Sequence, residues 1–379
     1  MNTEEQTLRE SPLRAENEKL AARLAGFLGC RLPISYGQNT DVASEVRMAR
    51  ESVAVVDTNF RGFLSLSGAD RARYLNAVTT ADIKNISEGQ GNVGLLLNPQ
   101  GHILAEIETY SLPDALLLVS HAFTLDRTRE TLDRFIIMDD CTLEDVSARY
   151  SSIGLGGPQA TKVLESLCGL ALAGLSAWSH VQASITGTPC RIVRHSFYGS
   201  EDNLPGFEIL AEPEKLSLIW QRLVAATGAL GGGPIGLIAL NSLRLDSGIP
   251  WFGWDYDEKV LPHEAGIEIS HISYTKGCYT GQEIIERVRS RGHVNRRLVM
   301  LEFSRAEAIM GGMALSAAGK EVGHITSVAF SFKRNKSIGM GFVRREHAQS
   351  GSRLEFPGGT AEVFDLSAIV DATPRTSCS

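Results

Sequence analysis

Residues 60–68, FRGFLSLSG, alternate apolar and polar positions, the period-two pattern of a strand with one face buried. Gly68 and Asp70 then open ADRARYLNAVTT, which reads as a helix. GLLLNPQGHILAEIETY predicts a hairpin whose turn is Asn98, Pro99, Gln100 and Gly101. ALLLVS predicts a third strand, and TLDRTRETLDRFII a helix with Leu125, Leu132 and Phe135 on one side. A second region has the same texture. SSIGLGGPQATKVLESL predicts strand, glycine turn and helix; PCRIVRHSF and GFEILAE predict strands; EKLSLIWQRLVAATG predicts a helix with Leu216, Ile219, Leu223 and Val224 on its apolar face. The order resembles an approximate structural duplication, without a convincing sequence repeat. Residues 238–246 predict a helix ending near Gly248. After Asn295 the short runs RRLVMLEF, GMALSAAG, KEVGHITSVAF, IGMGFVRR and AEVFDL, separated by glycines, predict a small barrel or sandwich. At the other end, residues 5–27 are expected to be helical, because Leu13, Leu20, Leu24 and Phe27 recur at helical spacing among charges, with Gly29 and Pro33 ending the segment. Elements in this order predict an α+β fold with antiparallel sheets.

A chain of 379 residues exceeds what one core usually holds, so two or three domains are expected. The net charge of −7 gives no reason to expect a nucleic-acid partner. No apolar run is long enough to span a membrane, and the acidic N-terminal stretch lacks the apolar region of a signal peptide, so a cytoplasmic location without membrane association is expected. Cys30, Cys141, Cys168, Cys190, Cys278 and Cys378 show no paired spacing, and neither CxxC nor HExxH occurs, so no protein-only metal site is expected. GLGGP at 154–158 lacks the spacing of a nucleotide loop and reads as a strand-to-helix turn. WFGWDYDEK at 251–259 sets four aromatics beside acids and a lysine, a composition that suits a flat ligand or an interface between domains.

The densest chemistry lies in TKGCYTGQEIIERVRSRG at 275–292. Cys278 stands just ahead of a predicted helix that carries an i,i+4 Glu283–Arg287 pair. A helix N-terminus, Lys276 and the following arginines favour a thiolate there. Gly277 and Gly281 permit a tight loop. A buried, inert cysteine is the alternative.

ISYTKGCYTGQEIIERV resembles the signature of the YgfZ family, folate-binding proteins linked to iron–sulfur cluster assembly or repair. The rest of the chain is similar to the wider superfamily of glycine-cleavage T proteins (aminomethyltransferases). The similarity rests on LLLNPQGHILAEIETY, RHSFYGSEDNLPGFEI, LNSLRLDSGIPWFGWDYDEKVLPHEAG and GHITSVAFSFKRNKSIGMGFV. The resemblance implies two ferredoxin-like α/β units plus a small C-terminal β-barrel, arranged around a central folate site. The expected division is an N-terminal helical extension over 1–30, a first α/β unit over 31–150, a second over 151–293 that includes the KGCYTGQE segment, a barrel over 294–372 and a tail over 373–379. The resemblance assigns Asn98, Glu106, Glu208, Arg244 and Phe252 to tetrahydrofolate or a one-carbon derivative. Ala105 and Glu106 stand where the T proteins carry two carboxylates, Glu208 where they carry a pterin-holding glutamate, and Phe252 where they carry a tyrosine.

The reading drawn from these residues is a folate-binding accessory protein for iron–sulfur cluster assembly or repair, partnered by iron–sulfur proteins or their assembly machinery. Cys278 and Lys276 are its catalytic candidates, within a motif that includes Gly277, Tyr279, Gly281, Gln282, Glu283 and Arg287. The alternatives are an aminomethyltransferase that uses tetrahydrofolate and a lipoyl-carrying partner, and a non-catalytic folate-binding module.

Overall fold

The computed structural model describes residues 8–37, 41–195, 197–198, 205–304 and 309–364. The expected tail over 373–379, with Cys378, lies outside them. The chain divides into two compact units, Met1–Leu240 with Ile269–Gln282, and Asn241–Glu268 with Glu283–Ser379.

In the first unit, a five-stranded sheet runs in the order Gly91–Leu97, Ile103–Ser111, Ala115–His121, Arg61–Ser67, Thr142–Asp145. All its pairings are antiparallel. The hairpin is as predicted, with Gly101 at φ +79° closing its turn. A six-stranded sheet runs His180–Ile185, Thr188–Val193, Gly206–Ala211, Ser151–Gly156, Ala54–Asp57, Gly233–Pro234, with only the last pairing parallel. The helices Arg71–Val78 and Leu125–Phe135 cover one face of the first sheet, and Ala160–Cys168 and Pro213–Gly228 cover one face of the second. The end of GLGGP makes the expected strand-to-helix turn, with Gly157 at φ +121°, while its first three residues end the strand Ser151–Gly156.

Period-two alternation decides what meets between the sheets. On Ile103–Ser111, Ala105 and Ile107 join Leu64, Leu66, Leu75 and Leu132 in the core beneath the helices. Tyr110 points the other way, into a cluster with Phe63, Leu117 and Val119 of its own sheet and Val193 and Leu210 of the six-stranded sheet. On Gly206–Ala211, Phe207, Ile209 and Ala211 face the other core. Arg61, Glu108 and Glu208 therefore share the layer between the two sheets with Tyr110 and Leu210.

The N-terminal segment differs from expectation. Among its described residues only Arg14–Lys19 is α-helical. Arg23–Phe27 and Cys30–Ser35 form a hairpin, and Arg9–Glu10 adds in parallel to its second strand. Leu28 and Gly29, at φ +46° and +77°, form the tight turn that reverses the chain; Pro33 sits within a strand rather than ending a helix. The segment is anchored by Asp57, whose buried carboxylate accepts from Ser11 Oγ at 2.6 Å and Asn17 Nδ2 at 2.7 Å.

In the second unit, six strands close into a barrel in the order Arg296–Phe303, Lys336–Arg344, Lys320–Ser331, Ala314–Ala317, Arg353–Phe356, Gly359–Phe364. Leu301, Phe303, Leu315, Ile325, Val343 and Val363 fill it. The α+β architecture with a small C-terminal β-barrel is as expected. Thr142–Asp145, His180–Ile185 and Arg353–Phe356 are strands the patterning did not single out. No helix of the described residues is long and apolar enough to cross a membrane.

Candidate functional site

Arg61 projects from its strand into the layer between the sheets of the first unit, where two glutamates meet it. Its Nη2 forms an ion pair with Glu108 Oε2 and donates to Glu208 Oε2 at 3.4 Å. Its Nε lies 3.4 Å from Glu208 Oε1, without hydrogen-bond geometry. Glu108 also accepts from the Tyr110 hydroxyl at 2.7 Å. All three charged side chains are buried, Glu208 completely, at 0% exposure. Its Oε1 has no hydrogen-bond partner among the described residues.

This is two carboxylates for one guanidinium, and the two do not behave alike. Burial disfavours charge on Glu108, but Arg61, with the hydrogen bond from Tyr110, outweighs it and holds that carboxyl below the usual range. Burial dominates at Glu208, with the Glu108 charge adding to it, and pushes that carboxyl up to about 7 against the pull of Arg61. Two histidines border the group. Burial lowers His121 and His195 to about 4, so both are neutral at physiological pH. His195 packs against Trp178 at 4.7 Å and Phe197 at 4.5 Å between ring centroids.

Glu106 lies on the same strand, two residues from Glu108, and its side chain is 23% exposed. Its Oε2 is 3.5 Å from His271 Nε2, on the segment Ile269–Gln282 that returns to this unit. That segment is laced to the loop after Arg71–Val78. Thr80 Oγ1 donates to the His271 carbonyl at 2.6 Å, and Ser273 N donates to the Thr80 carbonyl at 3.0 Å. Lys276 Nζ donates to the carbonyls of Asn76, Thr79 and Ala81 at 2.5, 2.5 and 2.8 Å and lies 5.1 Å from the Tyr279 ring centre. Burial lowers the Lys276 amine to about 8, and the three carbonyls favour its ammonium form. The Lys276 ammonium thus satisfies the carbonyls of Asn76 and Thr79 at the helix end and of Ala81 in the following loop.

The rest of the motif is arranged around this staple. Tyr279 is buried, and its carbonyl accepts from Gln282 N at 3.2 Å. Gly281 has φ +82°, and a Cβ there would stand 2.7 Å from the Asn98 carbonyl oxygen, so the loop rests on the hairpin turn. Asn98 spends its side-chain oxygen inside that turn, accepting from Gln100 N and His102 N at 3.0 Å each. Gly277 and Cys278 are exposed, and Cys278 is not in a disulfide. The helix runs Gln282–Arg291, and its Glu283–Arg287 hydrogen bond forms at 2.9 Å on the surface, as its spacing predicted.

Arg244 and Phe252 belong to the second unit. Arg244 is fully buried, its Nη1 paired with Asp255 Oδ2 and donating to the Ile249 carbonyl at 2.9 Å. Its Nε donates to Asn241 Oδ1 at 2.9 Å, and the guanidinium lies 5.0 and 4.9 Å from the ring centres of Trp251 and Trp254. Asp255 further accepts from Trp251 N at 2.9 Å, Thr326 Oγ1 at 2.9 Å and Ser327 Oγ. Phe252 packs edge-on against Tyr256 at 5.5 Å. The aromatic segment thus encloses an internal ion pair.

The model of the GCVT N-terminal domain matches residues 13–272, and that of the glycine cleavage T-protein C-terminal barrel domain matches residues 296–364. The chain belongs to the glycine cleavage T-protein family. Aminomethyltransferases of Desulfitobacterium hafniense and Rubrobacter xylanophilus are 28% and 26% identical to this T-protein family member, over 92% and 90% of its length and 93% and 88% of theirs. The fold is that of the glycine cleavage system aminomethyltransferase T of Bartonella henselae, with a TM-score of 0.85 at 22% identity over 95% of this chain and 98% of that one. These relatives overturn the expectation of an accessory protein for iron–sulfur cluster assembly. The full-length likeness is to aminomethyltransferases, and that expectation rested on one short loop of the T-protein fold. Arg61, Glu108 and His271 were not singled out from sequence. The available signal was the charge within two otherwise apolar strands, RGFLSLS and ILAEIETYS.

Proposed function

We propose that the protein is an aminomethyltransferase that uses tetrahydrofolate and a lipoyl-carrying protein partner. One observation carries the reading beyond family membership: a completely buried glutamate, Glu208, keeps an oxygen without a hydrogen-bond donor among the described residues. Leaving such an acceptor unpaired is unfavourable, and a pterin edge carries N–H donors that fit it. Glu208 would hold that edge. Bound tetrahydrofolate would supply the acceptor for the one-carbon unit. Glu106 stands at one of the two positions where the T proteins carry carboxylates, partly open to solvent and within ion-pair distance of His271, so the pair is suited to hold and release a proton there. Lys276 acts by position, tying the returning segment that carries His271 to the loop over 79–81. Lys276, Gly277, Cys278, Tyr279, Gly281, Gln282 and Glu283 carry a YgfZ-like signature, which we take as a mark of lineage within the superfamily.

Purified protein given an aminomethylated lipoyl carrier and tetrahydrofolate is expected to release ammonia and form methylenetetrahydrofolate, with Glu106→Gln reducing kcat by about 10²-fold or more. Tetrahydrofolate binding without ammonia release would reduce the assignment to a binding module. Absence of binding would remove it.

A further inference from the structure

The layer between the sheets of the first unit holds an arginine whose two partners are unequally bound. Glu108 has the ion pair to Nη2 and the Tyr110 hydroxyl at 2.7 Å. Glu208 has two contacts at 3.4 Å, and its Oε1 has no hydrogen-bond donor among the described residues. We propose that Arg61 is the positioning residue of this site: by committing its guanidinium to Glu108 it leaves Glu208 as the one carboxyl that exchanges its proton for ligand N–H groups. The ligand class is a planar heteroaromatic ring with adjacent N–H donors. That identification rests on the proposed function; the division of labour between the two carboxyls does not.

The groups that face Glu208 support this assignment. From the five-stranded sheet they are Arg61, Glu108 and Tyr110; from the neighbouring strand Ser151–Gly156 it is Ser152. His195, after Thr188–Val193, lies on the Glu108 side. Arg61 is the only cation among these groups at neutral pH, since His195 is neutral there. One positive charge balances one carboxylate, and a second ionised carboxylate in the same dry layer is disfavoured both by burial and by its neighbour. A protonated Glu208 offers one donor and one acceptor. A ligand edge with two N–H donors is met only by the carboxylate. Binding therefore breaks the Glu208 O–H bond, sends the proton to solvent and forms N–H···O bonds to the resulting carboxylate; no other covalent bond changes.

The test begins on full-length, ligand-free protein with 13C-labelled glutamate carboxyls, followed by infrared difference spectroscopy between pH 5 and 9. A protonated-carboxyl band should disappear with a midpoint near the value of about 7 assigned to Glu208. The band should be absent in Glu208→Gln and retained, with a lower midpoint, in Glu108→Gln. Arg61→Met should raise the midpoint by about one pH unit or more, and Arg61→Lys should restore most of that shift. A wild-type protein without this band, or an unmoved midpoint in a folded Arg61→Met protein, overturns the proposal. If Arg61→Met does not fold, the two glutamine variants decide: loss of the band in Glu108→Gln instead of Glu208→Gln overturns it. Calorimetric titration with tetrahydrofolate at pH 6, in two buffers of different ionisation enthalpy, should then show about one proton released per ligand bound. Binding without proton release overturns the inference and leaves the proposed function standing. No binding removes the proposed function and leaves the infrared result to judge the inference.

Discussion

Arg61 and Arg244 are both buried, and both face carboxylates, but they are built to different ends. In the second unit one guanidinium meets one carboxylate, and Asp255 receives donors on both oxygens, from Arg244, Trp251, Thr326 and Ser327. The charges balance, and two tryptophans cover the cation, whose Nη2 has no hydrogen-bond partner among the described residues. In the first unit one guanidinium meets two carboxylates, and an oxygen of Glu208 is left over. A buried ion pair with balanced charge and a fully hydrogen-bonded carboxylate is a structural element; one with a surplus acid and an unmet acceptor retains capacity for a ligand.

The largest test removes the closed pair. Arg244→Ala strands Asp255 in a dry site, and unfolding in urea should show a loss of roughly 3–5 kcal/mol. A loss under 1 kcal/mol would erase the distinction between the two arginines. Next comes the pH dependence of the open group. The Glu208 carboxyl is raised from 4.5 to about 7 in the folded protein, so its contribution to stability is fully present below the unfolded value and is lost as pH rises through the folded one. Glu108, held low, works the other way and loses its contribution as pH falls. Comparing wild type with Glu208→Gln isolates the first effect: between pH 4.5 and 8 the difference should grow by on the order of 3 kcal/mol in favour of the variant. Parallel stability curves would show that Glu208 is not the strained acid. Lys276→Met falls between the extremes, because three carbonyls lose a charged donor; about 1–3 kcal/mol of stability should go, and a silent variant would mean that solvent replaces the staple. The baseline is Glu283→Ala, which breaks an exposed helical pair and should change stability by only about 0.3–0.5 kcal/mol.

Much of the fold was legible because it is written in local periodicity. Alternation in FRGFLSLSG, the Asn98–Gly101 turn and the amphipathic run ending near Gly228 each specify their element without distant partners. Residues 5–27 misled because Leu13, Leu20, Leu24 and Phe27 happen to repeat at helical spacing, while two consecutive positive φ angles at Leu28 and Gly29 govern the chain path. The site was only partly legible. Glu106 and Glu208 were expected at the site through a resemblance, but what surrounds them is long-range. Arg61 and Glu208 are 147 positions apart, and the His271–Glu106 contact depends on a segment that leaves the unit and returns. Arg244 was assigned to the ligand through the resemblance; its contact with Asp255, eleven positions along, is one that the resemblance did not give.

The returning segment also imposes an order on synthesis. When residues 1–240 have left the ribosome, both large sheets of the first unit have been delivered, yet the ammonium that holds the carbonyls of Asn76, Thr79 and Ala81 has not. Roughly forty further residues must be translated, a delay of about 2–8 s at ordinary elongation rates. During that interval the end of Arg71–Val78 has only water for those acceptors, and Gly281 has not yet reached the hairpin turn. A fragment cut at Leu240 would remain in that state indefinitely. The nascent chain passes through it once, and its first unit is complete only after part of the second has already emerged.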